Sequence, residues 1–234
     1  MAYKGGFHDM LYSRKIRSSP HGKLISLLYS LLKSYTVTPQ ELILCDIKKG
    51  NKALDIGCGD GSFCESLKNH FQKVIGIDIS SYRIKKAKKI YAKEKNLFFQ
   101  VGDFDKKLPF ANKQFNVVIA ITSFQYSYDP HLTLQEINRI LADRGLFIVQ
   151  VTNLAWFVYR LQLLFGKQIF TSLAYHQAWD GGVLHYFTYL SLKKLLKEEG
   201  FKIIKADCSG LFRRIKLIYP PLLASDMIIW AQKR

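Results

Sequence analysis

The sequence is poor in acidic residues and lacks several patterns that would assign a function directly. Its 234 residues contain 18 Asp and Glu against 35 Lys and Arg, a formal net charge of +17. No apolar run reaches the roughly 18 residues of a membrane span, so we predict no membrane-crossing helix. The four cysteines form no C-x-x-C pair and have no metal-ligand spacing, which favours a reduced, cytoplasmic setting without a structural metal.

The excess of positive charge has more than one interpretation. A strongly basic chain attracts nucleic acid, anionic lipid headgroups or phosphorylated small molecules. Lysine also solubilises exposed helix faces, and in the densest basic run, 83–95, the charges surround only a thin apolar stripe. RNA, a membrane surface and an anionic small molecule therefore stay open as partners.

The stretch 52–80 has the pattern of a strand, a glycine-rich turn, a helix and a second strand. The apolar runs before Gly57 and before Asp78 have the length of buried parallel strands. Gly57, Gly59 and Gly61 place a sharp turn after the first strand, where backbone can approach a ligand closely. Asp78 follows Gly57 at about the 20-residue distance of a nucleoside-binding βαβ unit, and an acid there can accept ribose hydroxyls. We therefore predict a nucleoside-cofactor site.

Two features of the turn argue against a dinucleotide. The G-x-G-x-x-G fingerprint requires a glycine where this chain has Ser62. Asp55 and Asp60 flank the turn, and carboxylates would repel a pyrophosphate. They suit a cofactor that carries positive charge. With these residues, the stretch resembles motif I and the following acidic strand end of the class I S-adenosylmethionine-dependent methyltransferases.

The resemblance implies an α/β fold with a doubly wound, Rossmann-like, seven-stranded sheet. The sheet is expected to be mostly parallel, with an antiparallel last strand and helices on both faces. We assign residues 50–234 to this methyltransferase domain and 1–49 to a basic N-terminal arm and helices, including helices that begin at Pro20 and at Thr38-Pro39. S-adenosyl-L-methionine is the implied cofactor.

The resemblance also implies which residues hold that cofactor. The methionine end would lie at the turn, the ribose at the end of the second strand and the adenine after the third. In the order of the chain, the residues concerned are Asp55, Gly57, Cys58, Gly59, Asp78, Ile79, Asp103 and Phe104.

Aromatic residues supply the candidates for the substrate pocket. Phe124 and Tyr126 follow the fourth predicted strand, and Trp179 lies in a later aromatic segment. An aromatic face attracts a sulfonium. Many relatives have a Glu-His pair where this chain has Gln125-Tyr126, so a base at that position is missing. If the acceptor is a hydroxyl, His185 is our candidate for a general base, with a hydrogen-bonded structural histidine as the alternative.

The segment 153–188 is predicted to be a substrate-lid insertion over the catalytic face, where specificity is built on loops. It begins with an amphipathic pattern from Leu154 to Phe165. Its apolar side with Arg160 and Lys167 nearby also fits a membrane-surface element. The segment shows a weaker resemblance to the methionine-biosynthesis MetW-like branch.

The leading functional hypothesis is methyl transfer to a small-molecule or glycan-type acceptor, an anionic one included, and specifically O-methylation by in-line displacement. Such chemistry depends mostly on alignment of the reactants. RNA methylation is an alternative motivated by the net charge of +17. A non-catalytic protein that binds the cofactor, or a MetW-like accessory protein, is a second alternative, motivated by Gln125-Tyr126.

Overall fold

The computed structural model describes residues 36–169 and 183–234. The strands are β1 (Thr36–Val37), β2 (Gly50–Ile56), β3 (Phe71–Asp78), β4 (Leu97–Val101), β5 (Phe115–Ile121), β6 (Leu141–Thr152), β7 (Phe201–Asp207), β8 (Gly210–Leu211) and β9 (Asp226–Lys233). The helices are α1 (Pro39–Asp46), α2 (Ser62–Leu67), α3 (Ser81–Ile90), α4 (Pro130–Ile140), α5 (Phe157–Leu164), α6 (Tyr189–Glu198), α7 (Arg213–Lys216) and α8 (Pro220–Leu223), with a 3-10 turn at Phe124–Tyr126.

Seven strands form the main sheet, in the order β4-β3-β2-β5-β6-β9-β7. β9 pairs antiparallel with both of its neighbours, whereas β2 to β6 pair in parallel. The predicted seven-stranded sheet with an antiparallel last strand is therefore confirmed. The chain reverses its direction of winding between β2 and β5, and open α/β sheets bind ligands at the carboxyl ends of the strands beside such a point.

The two faces of the sheet are buried against different helices. One core contains residues of α1, α2 and α3, such as Ile43, Leu67 and Ile84. The other contains residues of α4 and α6, such as Leu134 and Leu192. Because both faces are covered, the central strands read as nearly continuous apolar runs, which is what made them recognisable in the sequence.

A second, two-stranded sheet was not predicted. β1 pairs antiparallel with β8, with Thr36 opposite Leu211 and Val37 opposite Gly210. The helix predicted at Thr38-Pro39 is present as α1, and a capping box between Thr38 and Glu41 fixes its start. The helix expected from Pro20 lies outside the described residues. Within the described part of the chain, no helix has both the length and the apolarity to span a bilayer.

The amphipathic helix predicted after β6 is present as α5, but it does not pack into the core. None of its residues is buried. Before it, the Asn153 side chain is fully buried and donates to the carbonyl of Ala224 at 2.8 Å, while Asn153 forms an isolated bridge with Phe187. These bonds anchor the start of the predicted insertion to the connection between α8 and β9 and to the segment just before α6. Its central part, with Trp179, lies outside the described residues.

We predict that Gly57→Ala destabilises the fold more than Gly166→Ala. Both glycines have positive φ, +76° and +67°, so both variants carry a strain of about 1–2 kcal/mol. A Cβ on Gly57 would also lie 2.5 Å from the Cβ of Ser123, whereas nothing lies within 4 Å of one on Gly166. This overlap adds about 1–3 kcal/mol. Urea denaturation of both variants measures the difference, and equal losses would contradict the packing argument.

Candidate functional site

Three acids lie at one edge of the sheet because of its topology. Asp55 lies near the carboxyl end of β2, Asp78 ends β3, and Asp103 follows β4 by two residues. These strands are adjacent and parallel, so their carboxyl ends share an edge. The sequence therefore predicted correctly that the three acids come to one side of the fold.

The glycine turn is tied by backbone bonds to the end of β3. The amides of Gly57 and Cys58 both donate to the carbonyl of Ile77, at 2.7 and 3.0 Å. The amide of Gly59 donates to Asp78 Oδ2 at 2.9 Å, and the amide of Ser80 donates to Asp78 Oδ1 at the same distance. Each carboxylate oxygen has a second lone pair, so Asp78 holds the turn and keeps capacity for further donors.

Asp55 is a buried acid that lies close to Asp78. Burial raises the pKa of Asp55 to about 7, because desolvation disfavours the carboxylate. The thiol of Cys64, 3.4 Å from Asp55 Oδ2, donates to it and lowers that pKa, while the Asp78 charge raises it. Cys58 is buried and lies beneath the turn, where its sulfur would be 2.7 Å from a Cβ on Gly76. A bound cation would relieve the cost of ionising Asp55.

Arg83, in the first turn of α3, is a residue of this region that the sequence did not single out. Its Nη1 lies 3.9 Å from Asp78 Oδ2, and its Nη2 would lie 2.9 Å from a Cβ on Gly59. The guanidinium therefore covers the glycine turn beside Asp78. In the sequence it is one basic residue of a lysine-rich helix, and only the fold distinguishes it.

Asp103, Phe104 and Ile79 are half-buried at the same edge. Asp103 forms an ion pair with Lys106 at 3.3 Å and accepts the amide of Asp105 at 3.2 Å. The Phe104 side chain packs against the hydrophobic core. Asp103 thus also has the local role of an ordinary turn residue.

The structure places Phe124 in the hydrophobic core. The side chain is 1% exposed, stacks on Phe187 with ring centroids 5.6 Å apart, and meets Phe147 edge-on at 6.1 Å. It therefore supports the carboxyl edge from below and offers almost no surface to a ligand. Tyr126, two residues later, is half-buried.

His185 is held beside the 3-10 turn that follows β5. Its amide donates to the carbonyl of Gln125 at 3.0 Å, and its Nε2 lies 3.3 Å from the carbonyl oxygen of Tyr128. A carbonyl only accepts, so this contact requires a proton on Nε2 and leaves Nδ1 as the basic nitrogen. The contact gives His185 a structural function and also defines the tautomer in which it could act as a base.

Thr122 directly follows β5 in a strained conformation. Its φ is +53°, which is rare for a β-branched residue. Its amide donates to both the carbonyl and Oε1 of Gln150, at 3.0 and 3.1 Å. Gln150 in turn donates to Asp226 Oδ2 at 3.2 Å. This chain of bonds connects the edge beside β2 with the ends of β6 and β9.

A cavity of about 710 Å³ lies beyond Gln150 at the same edge. Most of its wall is apolar, and its lining residues come from β6, the start of α5, the segment from Ser209 to Lys216, the end of α8 and the start of β9. Polar side chains on the wall include Ser209, Lys216 and Asp226. Asp226 accepts both the amide and the hydroxyl of Ser209, and Lys216 donates to the carbonyl of Ser209 at 2.9 Å. The sequence did not indicate this cavity, because its wall combines separate segments of the chain that share no recognisable motif.

Comparison with known proteins assigns the family. The methyltransferase domain family matches residues 47–200. An uncharacterised protein of Methanocaldococcus jannaschii is 28% identical over 184 residues, covering 74% of this chain and 70% of that protein. A ubiquinone biosynthesis O-methyltransferase of Bartonella bacilliformis is 28% identical over 159 residues, covering 66% and 61%. A solved S-adenosylmethionine-dependent methyltransferase of Methanosarcina mazei superposes with a TM-score of 0.62 at 21% identity, covering 85% of this chain and 98% of that one.

The chain therefore belongs to the methyltransferase domain family. It is a class I S-adenosylmethionine-dependent methyltransferase, as the glycine turn and the acidic strand end predicted. The weaker resemblance to the MetW-like branch stays a prediction. Among residues 36–169 and 183–234, no group of three or more His, Cys, Asp or Glu is arranged to hold a metal ion.

We predict that Asp55 makes the stability of the ligand-free protein fall as the pH rises from about 4 to about 7. In this window the folded protein keeps a proton on Asp55 that the unfolded chain has released, since the pKa falls from about 7 to 3.8 on unfolding. The contribution lost across the window is about 4 kcal/mol. Asp55→Asn removes this pH-dependent contribution to the free energy of unfolding.

Thermal unfolding between pH 5 and 7.5 checks this prediction. Asp55→Asn is expected to melt above the unsubstituted protein at the upper end of that range and to show a flatter pH dependence. Asp143→Asn is the control, because Asp143 is exposed and pairs with Lys113 at 2.8 Å on another part of the surface. Parallel pH profiles for Asp55→Asn and the unsubstituted protein would contradict the assignment.

Proposed function

We propose that the residues around the glycine turn bind S-adenosylmethionine. The buried acid Asp55, whose pKa is raised to about 7, supports this best, because a cation placed beside it would favour its ionised form at neutral pH. When bound, the cofactor supplies an electrophilic methyl group together with its own leaving group. The protein then has mainly to align the acceptor and exclude water.

In this proposal each acid has one task. Asp55, with Gly57, Cys58 and Gly59, attracts the ammonium of the methionine end. Asp78, with Ile79 beside it, accepts the ribose hydroxyls with the lone pairs that the turn amides leave free. Asp103 and Phe104 receive the adenine. Arg83 limits the room beside Asp78 and positions its carboxylate.

We further propose that the acceptor is a largely apolar small molecule that occupies the 710 Å³ cavity and is methylated on oxygen. The cavity has the size and the mainly apolar wall of a small-molecule site, with a few polar groups to orient the ligand. Lys216 suits an anionic substituent on that acceptor. A glycan would fit this cavity less well, because its hydroxyl groups require a polar wall.

Oxygen as the methylated atom is supported by the relative that carries the name ubiquinone biosynthesis O-methyltransferase. His185, with a proton on Nε2 and a free Nδ1, is the proposed general base for a hydroxyl acceptor. Tyr126 is the aromatic residue proposed to border the acceptor, and the prediction for Trp179 falls outside the described residues. Phe124 acts by supporting Phe187 and, through it, the segment that carries His185.

We predict that Asp78→Asn weakens the binding of S-adenosylhomocysteine about 10- to 150-fold. Loss of hydrogen bonds to a charged group costs about 1.5–3 kcal/mol. Isothermal titration calorimetry measures the effect. The side-chain amide of the variant keeps one oxygen that can accept a hydrogen bond from the turn. A thermal melt of the variant therefore shows whether lost affinity reflects lost binding contacts or lost folding. Asp143→Asn is expected to bind like the unsubstituted protein. Unchanged affinity in a folded Asp78→Asn would refute the role of Asp78.

The acceptor class is tested by methyl transfer from labelled S-adenosylmethionine into fractionated cell extract. We expect label in the organic-solvent-extractable fraction and its loss with Asp78→Asn. Label that disappears on nuclease treatment would instead identify RNA as the acceptor, the alternative that the net charge of +17 favours. If the protein binds S-adenosylhomocysteine but transfers label to no fraction, it is a non-catalytic accessory protein.

A further inference from the structure

The cavity proposed for the acceptor opens between two exposed apolar segments. Trp156 and Phe157 at the start of α5 line the cavity, and so do Phe212 and Ile215 of the α7 region. Both segments therefore border the same opening.

These segments expose an unusual number of large apolar side chains. We call this surface the apolar rim and define it by Leu161, Leu164, Phe165, Phe212, Ile218 and Tyr219. Their exposed fractions range from 48% for Leu161 to 78% for Ile218. A water-facing helix with no buried residue gains little from its apolar side chains, so this rim is suited to a partner surface.

The backbone at Phe212 is an independent sign that the rim is built for contact. Phe212 has a φ of +57°, a left-handed conformation that is an outlier for a bulky residue. Its side chain is 61% exposed, so packing into the core does not compensate the strain. Strain of this kind is concentrated at functional positions.

The charges of the two segments all have one sign. Residues 157–169 contain Arg160 and Lys167, and residues 208–225 contain Arg213, Arg214 and Lys216. Neither range contains an acidic residue. Arg213 is engaged by Asp207, whereas Lys167 and Arg214 are exposed beside the apolar rim. Apolar side chains flanked by basic ones are the composition of an element that lies on an anionic membrane.

We propose that the apolar rim docks on an anionic lipid surface and turns the mouth of the cavity toward the bilayer. This inference rests on the proposed function, since it states from where a largely apolar acceptor reaches the site. Leu, Phe and Ile side chains enter the headgroup boundary, and Lys167 and Arg214 meet lipid phosphates. The acceptor then passes from the bilayer into the cavity without crossing water.

Vesicle sedimentation of the full chain tests the proposal. We expect roughly tenfold or stronger preference for vesicles of phosphatidylcholine mixed with phosphatidylglycerol over phosphatidylcholine alone. The double variants Leu164→Ser/Phe165→Ser and Phe212→Ser/Ile218→Ser should each lower binding about tenfold. The control Leu132→Ser/Leu190→Ser changes side chains that are 59% and 67% exposed on α4 and α6 and should bind normally.

A charge-matched pair separates the apolar rim from the overall charge. Lys167→Glu/Arg214→Glu should weaken vesicle binding more than Lys88→Glu/Lys89→Glu on α3, although both change the net charge equally. Equal losses, or no preference for anionic vesicles, would overturn the proposal. The proposal would also be overturned if the protein bound tRNA and not vesicles, and the serine variants left that tRNA binding unchanged. A protein dimer that the serine variants dissociate would overturn it as well.

Calorimetry with S-adenosylhomocysteine on the same preparations distinguishes this proposal from the proposed function. Serine variants that lose vesicle binding but still bind S-adenosylhomocysteine support docking by the apolar rim. If the unsubstituted protein binds S-adenosylhomocysteine but shows no preference for anionic vesicles, the docking proposal alone is overturned. Absence of S-adenosylhomocysteine binding by the unsubstituted protein overturns the cofactor proposal, and with it the reason for delivery of the acceptor from the bilayer.

Discussion

The hydrogen bonds that Asp78 makes to the glycine turn are the constraint on which the site depends. One carboxylate at the end of β3 accepts the amide of Gly59 with one oxygen and that of Ser80 with the other. It thereby fixes the turn after β2 and the start of α3 with respect to each other. Charge-assisted bonds to backbone amides are strong in a buried setting, so the geometry of the turn is set before any ligand arrives.

The same arrangement creates an electrostatic problem at Asp55. Burial of Asp55 between the turn and α2, together with the charge of Asp78 nearby, makes ionisation of Asp55 costly and raises its pKa to about 7. Arg83 lies on the outer side of Asp78, where it offsets the charge of that residue. In the ligand-free site, the charge of Asp78 is therefore compensated by Arg83, whereas a charge on Asp55 is not compensated. This arrangement favours a cationic ligand.

A strained connection joins this region to the second half of the sheet. Thr122, with φ at +53°, donates to Gln150, and Gln150 donates to Asp226 at the floor of the large cavity. Phe212, another residue with positive φ, lines that cavity. Thr122 and Phe212, two of the four residues other than glycine that have positive φ within 36–169 and 183–234, thus lie at or beside this cavity.

Much of this architecture could be predicted from the sequence, because the signals were local. Buried parallel strands are apolar runs, the glycine turn leaves its mark within a few residues, and an acid at a strand end is found by counting. These signals predicted the seven strands and the shared edge of Asp55, Asp78 and Asp103, whereas the antiparallel last strand was implied by the family resemblance. The amphipathic pattern also located α5, but periodicity does not specify what a helix packs against.

What only the tertiary structure decided depends on contacts between distant parts of the chain. The pairing of β1 with β8 joins residues about 170 positions apart, and Phe124 became a core residue because Phe147 and Phe187 close around it. Arg83 is one cation among many until α3 places it over the turn. The wall of the large cavity combines β6, the start of α5 and several segments between Ser209 and Asp226, and no local pattern could have revealed it. The sequence by itself determined the family, because few local residues define its glycine turn and acidic strand end. The large cavity was decided by packing between distant segments of the chain.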